Sequence, residues 1–454
     1  MSASAGVGSY IESAQKLATT GIDLFTLPEI EASLVAGTSI TIYPQNALND
    51  TGPFDFLIPS DDNDYTFLPL TRLYGELEVV KADGTAVTAN EKNAIVNLFP
   101  HSIFKQIECS INGTQIVDLS TPTYPYKAFI ETHLSFNKHA KEGHLYCECY
   151  SKETVGKENN FEIGTTTDPN PTFDLRKKRC ESKIYFSMIL HIDFFQNERY
   201  LLPGCELKLK FIRNEDKFSL LGNTLLTKIK VNELFLTIRR VTLDPLEDAK
   251  INSDLERGPA AYPIDQSRIK TFTIPSGLKN HNISQIFRGQ LPRSLIIGFV
   301  DTAAYDGAVN KNPFVFEHFK LNYFNLFING APVLPTVLQP DFANKKAIRE
   351  YRWFIDNIDI LHSNESNGIS FEDYCSNSCF FAFDFTPDLC NSFHDHGVKA
   401  GVIDLHVGFH EALVKNITCI VYASFKEVIT INKNKQVTLS MNGTCLKKKN
   451  VRTH

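Results

Sequence analysis

Short stretches in which apolar and polar residues alternate, separated by turn-forming pairs, recur along the whole chain. Residues 38–43 alternate before Pro44, and residues 74–80 alternate before Asp83-Gly84. A period of two sends Leu77 and Val79 to one side of a strand and Glu76 and Glu78 to the other, as a sheet with one face on a core requires. Helical spacing is rarer. Near the N-terminus Tyr10, Ile11, Ala14 and Leu17 predict one short helix over roughly 9–19, in an arm or peripheral cap.

The two halves of the chain repeat one order of elements. In the first, Phe104–Ile111 runs into Asn112-Gly113; in the second, residues 319–328 run into Asn329-Gly330, and a short apolar segment follows each pair. Asn-Gly favours the two positive φ values of a type I′ turn, so each pair predicts a hairpin. A segment with helical character follows each hairpin, over 126–134 and 346–355. Closing strands then answer one another: 204–211 against 401–409, and 232–239 against 418–425. Repeated order, and not only repeated content, implies two copies of one β fold.

Pro and Gly interrupt residues 257–263, which reads as a linker and places a boundary near Gly258. Copies of about 200 residues exceed the roughly 100 of an immunoglobulin-like sandwich, and long polar excursions at 151–172 and 301–312 suit barrels that carry loops. The expected fold is all-β: two consecutive eight-stranded jelly rolls with short helices in connecting loops. The expected organisation is an N-terminal arm with a short helix over 1–30, a first jelly roll over 31–257, a second over 258–439 and a basic tail over 440–454.

Composition agrees. Among 454 residues stand 34 Phe but only three Met and one Trp, a bias toward strands with aromatic side chains packed between sheets. A net charge of -6 gives no field suited to holding nucleic acid along a face, so sequence-specific nucleic acid is not an expected partner. Lys447, Lys448, Lys449 and Arg452 form a short basic tail that reads as a solvated end. Ten Cys is not the density of a disulfide scaffold, and the first ten residues lack a charged-then-apolar leader, which predicts synthesis in a reducing host compartment, cytoplasm or nucleus. No stretch has the length and apolarity of a membrane span. Sequons at Asn112, Asn282 and Asn416 read as chance or turn chemistry.

The most chemical-looking residues do not assemble into a recognisable site. His394, Asp395, His396, His406 and His410, with Cys375, Cys379 and Cys390, have donor types that suit zinc, but their spacing matches no closed module. A cupin places a Glu soon after its His-x-His pair, where Val398-Lys399-Ala400 stands here. Cys147-Glu148-Cys149 on a strand puts two thiols on one face with no second pair. Counting from Asp61 as a calcium loop, Thr66 stands where Gly is needed and Arg72 where Glu is needed, so residues 61–64 read as a solvated acidic turn. No phosphate loop, nucleophile elbow or dinucleotide fingerprint occurs. No residue is therefore assigned to catalysis, to a cofactor or to a metal, and no enzyme is expected.

Residues 98–104 leading to Ile111-Asn112-Gly113, and residues 292–299 with Asn312-Pro313-Phe314 leading to Ile328-Asn329-Gly330, resemble the double jelly-roll major capsid proteins of Polinton/Maverick elements and adintoviruses. Virophage and adenovirus-type capsid proteins look like more distant relatives. The resemblance spans roughly 22–439 and rests on a pattern of segments. It implies a structural protein of the virion: a homotrimer whose six barrels form a pseudo-hexagonal, hexon-like capsomer that tiles an icosahedral shell beside penton or minor capsid proteins. The residues also fit a two-domain β-sandwich that binds glycans or a host surface. A third reading, a metal-dependent oxygenase on a double barrel, rests on His394, His396, His406 and His410.

Overall fold

The structure of the protein, a computed structural model, describes residues 33–88, 91–161, 170–222, 227–358, 365–387, 389 and 396–440. The helix expected over 9–19, the tail from 441 onward, and Cys390, His394 and Asp395 lie outside the described residues.

The first half contains β1 (Leu34–Ile42), β2 (Phe54–Ile58), β3 (Asp64–Lys81), β4 (Asn93–Ile95), β5 (Phe104–Ile111), β6 (Thr114–Gln115), β7 (Ile184–Ile189), β8 (Leu207–Arg213), β9 (Leu220–Gly222) and β10 (Thr227–Leu243). The second contains β11 (Ala260–Ile274), β12 (Asn280–Gln290), β13 (Ser294–Asp301), β14 (Leu321–Ile328), β15 (Ala331–Pro332), β16 (Phe380–Asp384), β17 (Ala400–Phe409), β18 (Ile417–Ile431) and β19 (Val437–Ser440). In the first half, a four-stranded sheet of order β1-β10-β3-β7 accompanies another of order β2-β8-β5-β6. In the second half the orders are β11-β18-β13-β16 and β12-β17-β14-β15. Apart from the small β4-β9 ribbon and β19 on β18, the two halves have one topology. On one sheet the first strand lies beside the last, the last beside the third, and the third beside the sixth. On the other, the second lies beside the seventh, the seventh beside the fourth, and the fourth beside the fifth. All these pairings are antiparallel. The chain is a double jelly roll.

The repeat extends to single side chains. Asn112 and Gly113 have φ of 48° and 79°, and Asn329 and Gly330 have 51° and 79°, so both hairpins make the predicted left-handed turn. The backbone N–H of Asn112 donates to Glu206 O at 2.9 Å, and Glu206 N–H donates to the Asn112 Oδ1 at 2.8 Å. Asn329 makes the same pair of bonds with Val402, both at 2.9 Å. In each barrel one Asn therefore fixes the turn and ties it to the neighbouring strand. The expected helices also occupy equivalent places, Tyr124–Ser135 between β6 and β7 and Ile348–Asp356 between β15 and β16.

Two readings of the sequence need correction. Residues 257–263 are not an irregular linker: the helix Pro245–Arg257 makes the connection, and β11 begins at Ala260 with Pro263 opposite Val428 in unbroken register. Pro is tolerated there because β11 is an edge strand, where the missing N–H costs no ladder bond. The excursions at 151–172 and 301–312 do more than carry surface loops. Asn312 N–H donates to Asn159 Oδ1 at 2.8 Å and its Nδ2 to Glu153 Oε1 at 2.9 Å, so they meet across the two halves.

Phe rings fill both barrels. Phe104 lies between Phe54 and Phe211, with centroids 6.3 and 5.0 Å away, and Phe324 stacks on Phe381 at 4.1 Å with Phe383 at 5.9 Å. All six are essentially inaccessible to water. Phe324→Ala is expected to lower stability by about 3–5 kcal/mol through lost burial and a residual cavity. At Gly330, where a Cβ meets nothing within 4 Å, Gly330→Ala should cost only about 1 kcal/mol of backbone strain. Urea unfolding midpoints of the two variants measure the contrast.

Candidate functional site at the seam between the barrels

The barrels share their cores. The helix Tyr124–Ser135 begins with Pro125 at its first turn, where no intrahelical N–H is needed, and buries residues on opposite sides. Ala128 belongs to the first barrel's cluster, whereas Tyr126, Phe129 and Ile130 belong to the cluster centred on the second. Phe129 stacks on Phe314 at 4.7 Å and 10°, and Tyr126 stacks on Tyr305 at 5.4 Å. In return Tyr262, Ile264, Ile429 and Ile431, from the ends of β11 and β18, enter the first barrel's cluster.

Polar groups fix the register of this contact. Lys127 Nζ meets Asp193 Oδ1 at 2.6 Å, and Asp193 accepts the backbone N–H and the hydroxyl of Ser267 at 3.1 and 2.8 Å. The Tyr422 hydroxyl donates to Glu131 Oε1 at 3.0 Å. On the edge of β11, Asn197 Nδ2 donates to Pro263 O at 2.6 Å, and in the turn from β18 to β19 the Lys435 carbonyl accepts from Asn112 Nδ2 at 2.9 Å. Burial favours a neutral Asp193 and lifts its pKa, while Lys127 is held above the usual lysine range, burial being outweighed by Asp193 and Glu131.

A cleft of about 380 Å³ opens along the seam, lined by Phe129, Lys141, Tyr146, Tyr150, Lys152 and Arg179 among others. Arg179 lies over the exposed Tyr146 ring, 4.2 Å from its centroid. Lys152 pairs with Asp373 at 2.7 Å, and Lys141 Nζ donates to His133 O at 2.6 Å and to Asn367 O. Burial, with the positive charge of Lys152 adding to it, pushes the Lys141 pKa down to about 7.

Among the described residues, the side chains singled out in the sequence form no group of three metal-type donors. His406 sits half-buried on β17 with its ring 4.6 Å from that of Phe327, and His410 is exposed just past the end of that strand. Cys379 is buried beside Tyr374, and burial pushes its thiol up, as an inert core Cys requires. Asp61 caps its own turn, its Oδ1 accepting N–H bonds from Asn63 and Asp64 and its Oδ2 one from Arg240 at 2.8 Å. Residues 147–149 are not on a strand. His144–Glu148 is a 3₁₀ turn and Cys149 has φ of 58°, so Cys147 is exposed, Cys149 is buried, and Glu148 points inward.

Glu148 leads to a cluster that sequence reasoning missed. One donor atom each of His101, Glu148 and His191 lies within 4.8 Å of the others, all three buried, the one such group among the described residues. His101 Nε2 is 3.2 Å from Glu148 Oε2, and His101 Nδ1 is 3.1 Å from the Tyr124 hydroxyl. His191 Nδ1 is 2.6 Å from Glu131 Oε2, and its Nε2 is 3.2 Å from Thr132 Oγ1. No signal in the sequence joins residues 101, 148 and 191, because only the fold brings them together.

Comparisons with known proteins agree with the fold. No family model matches the chain. An uncharacterized protein of Caenorhabditis elegans, F54H12.2, is 24% identical over 403 residues, 86% of this chain and 93% of that protein. Among solved structures, that of the Sputnik virophage superposes with a TM-score of 0.61 and 13% identity over 97% of this chain and 96% of the other. The Faustovirus major capsid protein gives 0.58 and 9% over 92% and 93%. The mavirus major capsid protein gives 0.51 and 9% over 97% and 95%. Identity this low carries the fold, and both barrels are covered in each case.

Two measurements test the seam. Lys127→Met leaves Asp193 and Glu131 buried without their cation and should cost about 3–5 kcal/mol in chemical unfolding. For Lys141 the folded pKa of about 7 lies below the ordinary 10.5, so the folded state binds fewer protons between those values and stability rises with pH there. Calorimetry at pH 7 and pH 9 should show the melting temperature of the native chain gaining on that of Lys141→Met as pH rises.

Proposed function

We propose that the chain is a major capsid protein, a structural block of a virion shell and not an enzyme. The observation that carries this reading is the pair of barrels with matching strand order, locked by one shared seam, in a chain that superposes on capsid proteins over 92% and 97% of its length. A tiling unit has to present the same outline each time it is used, and two barrels that share a core supply one.

Three copies bring six similar barrels around a three-fold axis, which closes its own interfaces and yields a near-hexagonal outline. The homotrimer, its tiling of an icosahedral shell and its penton or minor partners are parts of this proposal, with domains at 31–257 and 258–439. One surface suits contact with a neighbouring copy. On the β1-β10-β3-β7 sheet, Phe235 stacks on Tyr74 at 5.3 Å and lies 5.9 Å from Tyr43, which is 62% exposed, and Tyr185 nearby is 70% exposed. Exposed aromatic groups of this kind are typical of interfaces. The nematode relative, matched over most of both chains, supports an origin in a Polinton/Maverick or adintovirus element carried by an animal genome. Location in the virion and synthesis in a reducing cytoplasm or nucleus complete the reading.

A second reading, binding of glycans or a host surface, is favoured by the seam cleft with its Tyr146, Tyr150 and lysines. It is compatible with a shell protein, and glycan-array binding by protein that stays monomeric would favour it alone.

Native mass spectrometry is expected to give a trimer, with Phe235→Arg shifting mass toward monomer while leaving the circular dichroism spectrum unchanged. A chain that stays monomeric across micromolar concentrations contradicts the proposal.

A further inference from the structure

We propose that His101, Glu148 and His191 form a structural site for one divalent cation of the zinc class, buried in the first barrel beside the seam. This inference does not depend on the capsid reading.

The donor set is two imidazoles and one carboxylate, which suits zinc. Donors around tetrahedral zinc at 2.0–2.2 Å lie roughly 3.3–3.5 Å apart, and His101 Nε2 and Glu148 Oε2 are already 3.2 Å apart. All three donor atoms lie within 4.8 Å of one another, so small side-chain rotations bring them to that spacing.

The surroundings of the three donors carry the argument further. A metal-binding imidazole ligates through one nitrogen while a carboxylate or another acceptor holds the second, fixing tautomer and ring orientation. Here Glu131 Oε2 holds His191 Nδ1 at 2.6 Å, which leaves Nε2 to ligate. The Tyr124 hydroxyl holds His101 Nδ1 at 3.1 Å, which leaves Nε2 again. The Glu148 carboxylate is steered in turn by the backbone N–H of Ile189, which donates to its other oxygen at 3.2 Å. Each of the three ligands thus has an outer partner on the atom that a metal does not need. Thr132 Oγ1, 3.2 Å from His191 Nε2, stands where it or a water takes the fourth position.

Charge points the same way. Each imidazole is bonded to a carboxylate, His101 to Glu148 and His191 to Glu131, and among the described residues Lys127 is the one lysine or arginine paired with either. A divalent cation there is balanced by the Glu148 carboxylate directly and by Glu131 through the His191 ring. The competing arrangement is an imidazolium at one of the two rings, and the experiment separates the two.

The role is structural. Side-chain exposure of the three ligands is at most 6%, which leaves no access for a substrate. His101 lies in the short helix Phe99–Ser102 before β5, Glu148 in the long connection from β6 to β7, and His191 just after β7. The cation therefore ties that connection, with the seam helix Tyr124–Ser135, to the barrel wall.

The test uses the full chain, purified without chelator, analysed for metal, then stripped with a chelator and titrated with zinc and separately with cobalt(II). The expected result is one equivalent per chain, a visible absorption band from cobalt in a low-symmetry nitrogen and oxygen site, and a melting temperature that rises with free zinc concentration. His101→Gln and Glu148→Gln should each lose the cobalt band and at least tenfold in zinc affinity, while His406→Gln keeps both. If the two site variants do not fold, the titration of the unsubstituted chain decides. Folded, stripped protein that takes up no zinc or cobalt overturns the proposal in favour of an imidazolium network, and so does zinc binding undiminished in both site variants.

Discussion

Everything distinctive about this molecule depends on the helix Tyr124–Ser135 having no free face. Ala128 serves the first barrel, and Phe129, stacked on Phe314, serves the second. A helix between β6 and β7 of an isolated jelly roll would expose one side to water, and that side here is aromatic. Burying Phe129 and Tyr126 is worth on the order of a few kcal/mol each, and Phe314, Phe316 and Tyr305 of the second half supply much of the surface. Apolar burial holds the barrels together, and the directional bonds around it choose one mutual orientation.

Those bonds explain why the seam contains so many charged groups. Lys127, Glu131, Asp193, Ser267 and Tyr422 come from four separated stretches of chain, and the bonds from Ser267 to Asp193 and from Tyr422 to Glu131 are made only when both barrels are in place. Replacing such a network with apolar side chains often leaves stability unchanged or raises it, so stability alone does not account for it. Specificity does: a greasy seam tolerates sliding, whereas Asp193 receiving Ser267 and Glu131 receiving Tyr422 does not. For a shell component, one fixed angle between barrels matters more than an extra margin of stability.

The repeat was legible in the sequence because its signals are local. Alternation along residues 74–80 follows from the pleat, and Asn112-Gly113 and Asn329-Gly330 demand left-handed backbone wherever they occur. The seam was not legible, since Phe129 with Phe314 and Glu131 with Tyr422 join positions far apart, and an amphipathic pattern does not say what covers a helix. Two local readings failed for physical reasons. Pro263 looked like a break but stands on an edge strand that has no further neighbour to serve. Cys147-Glu148-Cys149 looked like alternation but forms a 3₁₀ turn, so the residue of interest is the central Glu148, facing His101, and not the flanking thiols. The histidines most conspicuous in the sequence, His406 and His410, lie apart, while His101 and His191, each isolated in sequence, come together.

Electron cryomicroscopy of the purified, full-length protein tests the central claim most directly. The locked seam and the capsid role predict a particle with six similar barrels around a three-fold axis, the two barrels of each chain at one fixed angle in every class average. Monomers in which the barrels take variable relative orientations would contradict both the locked seam and the capsid role built on it.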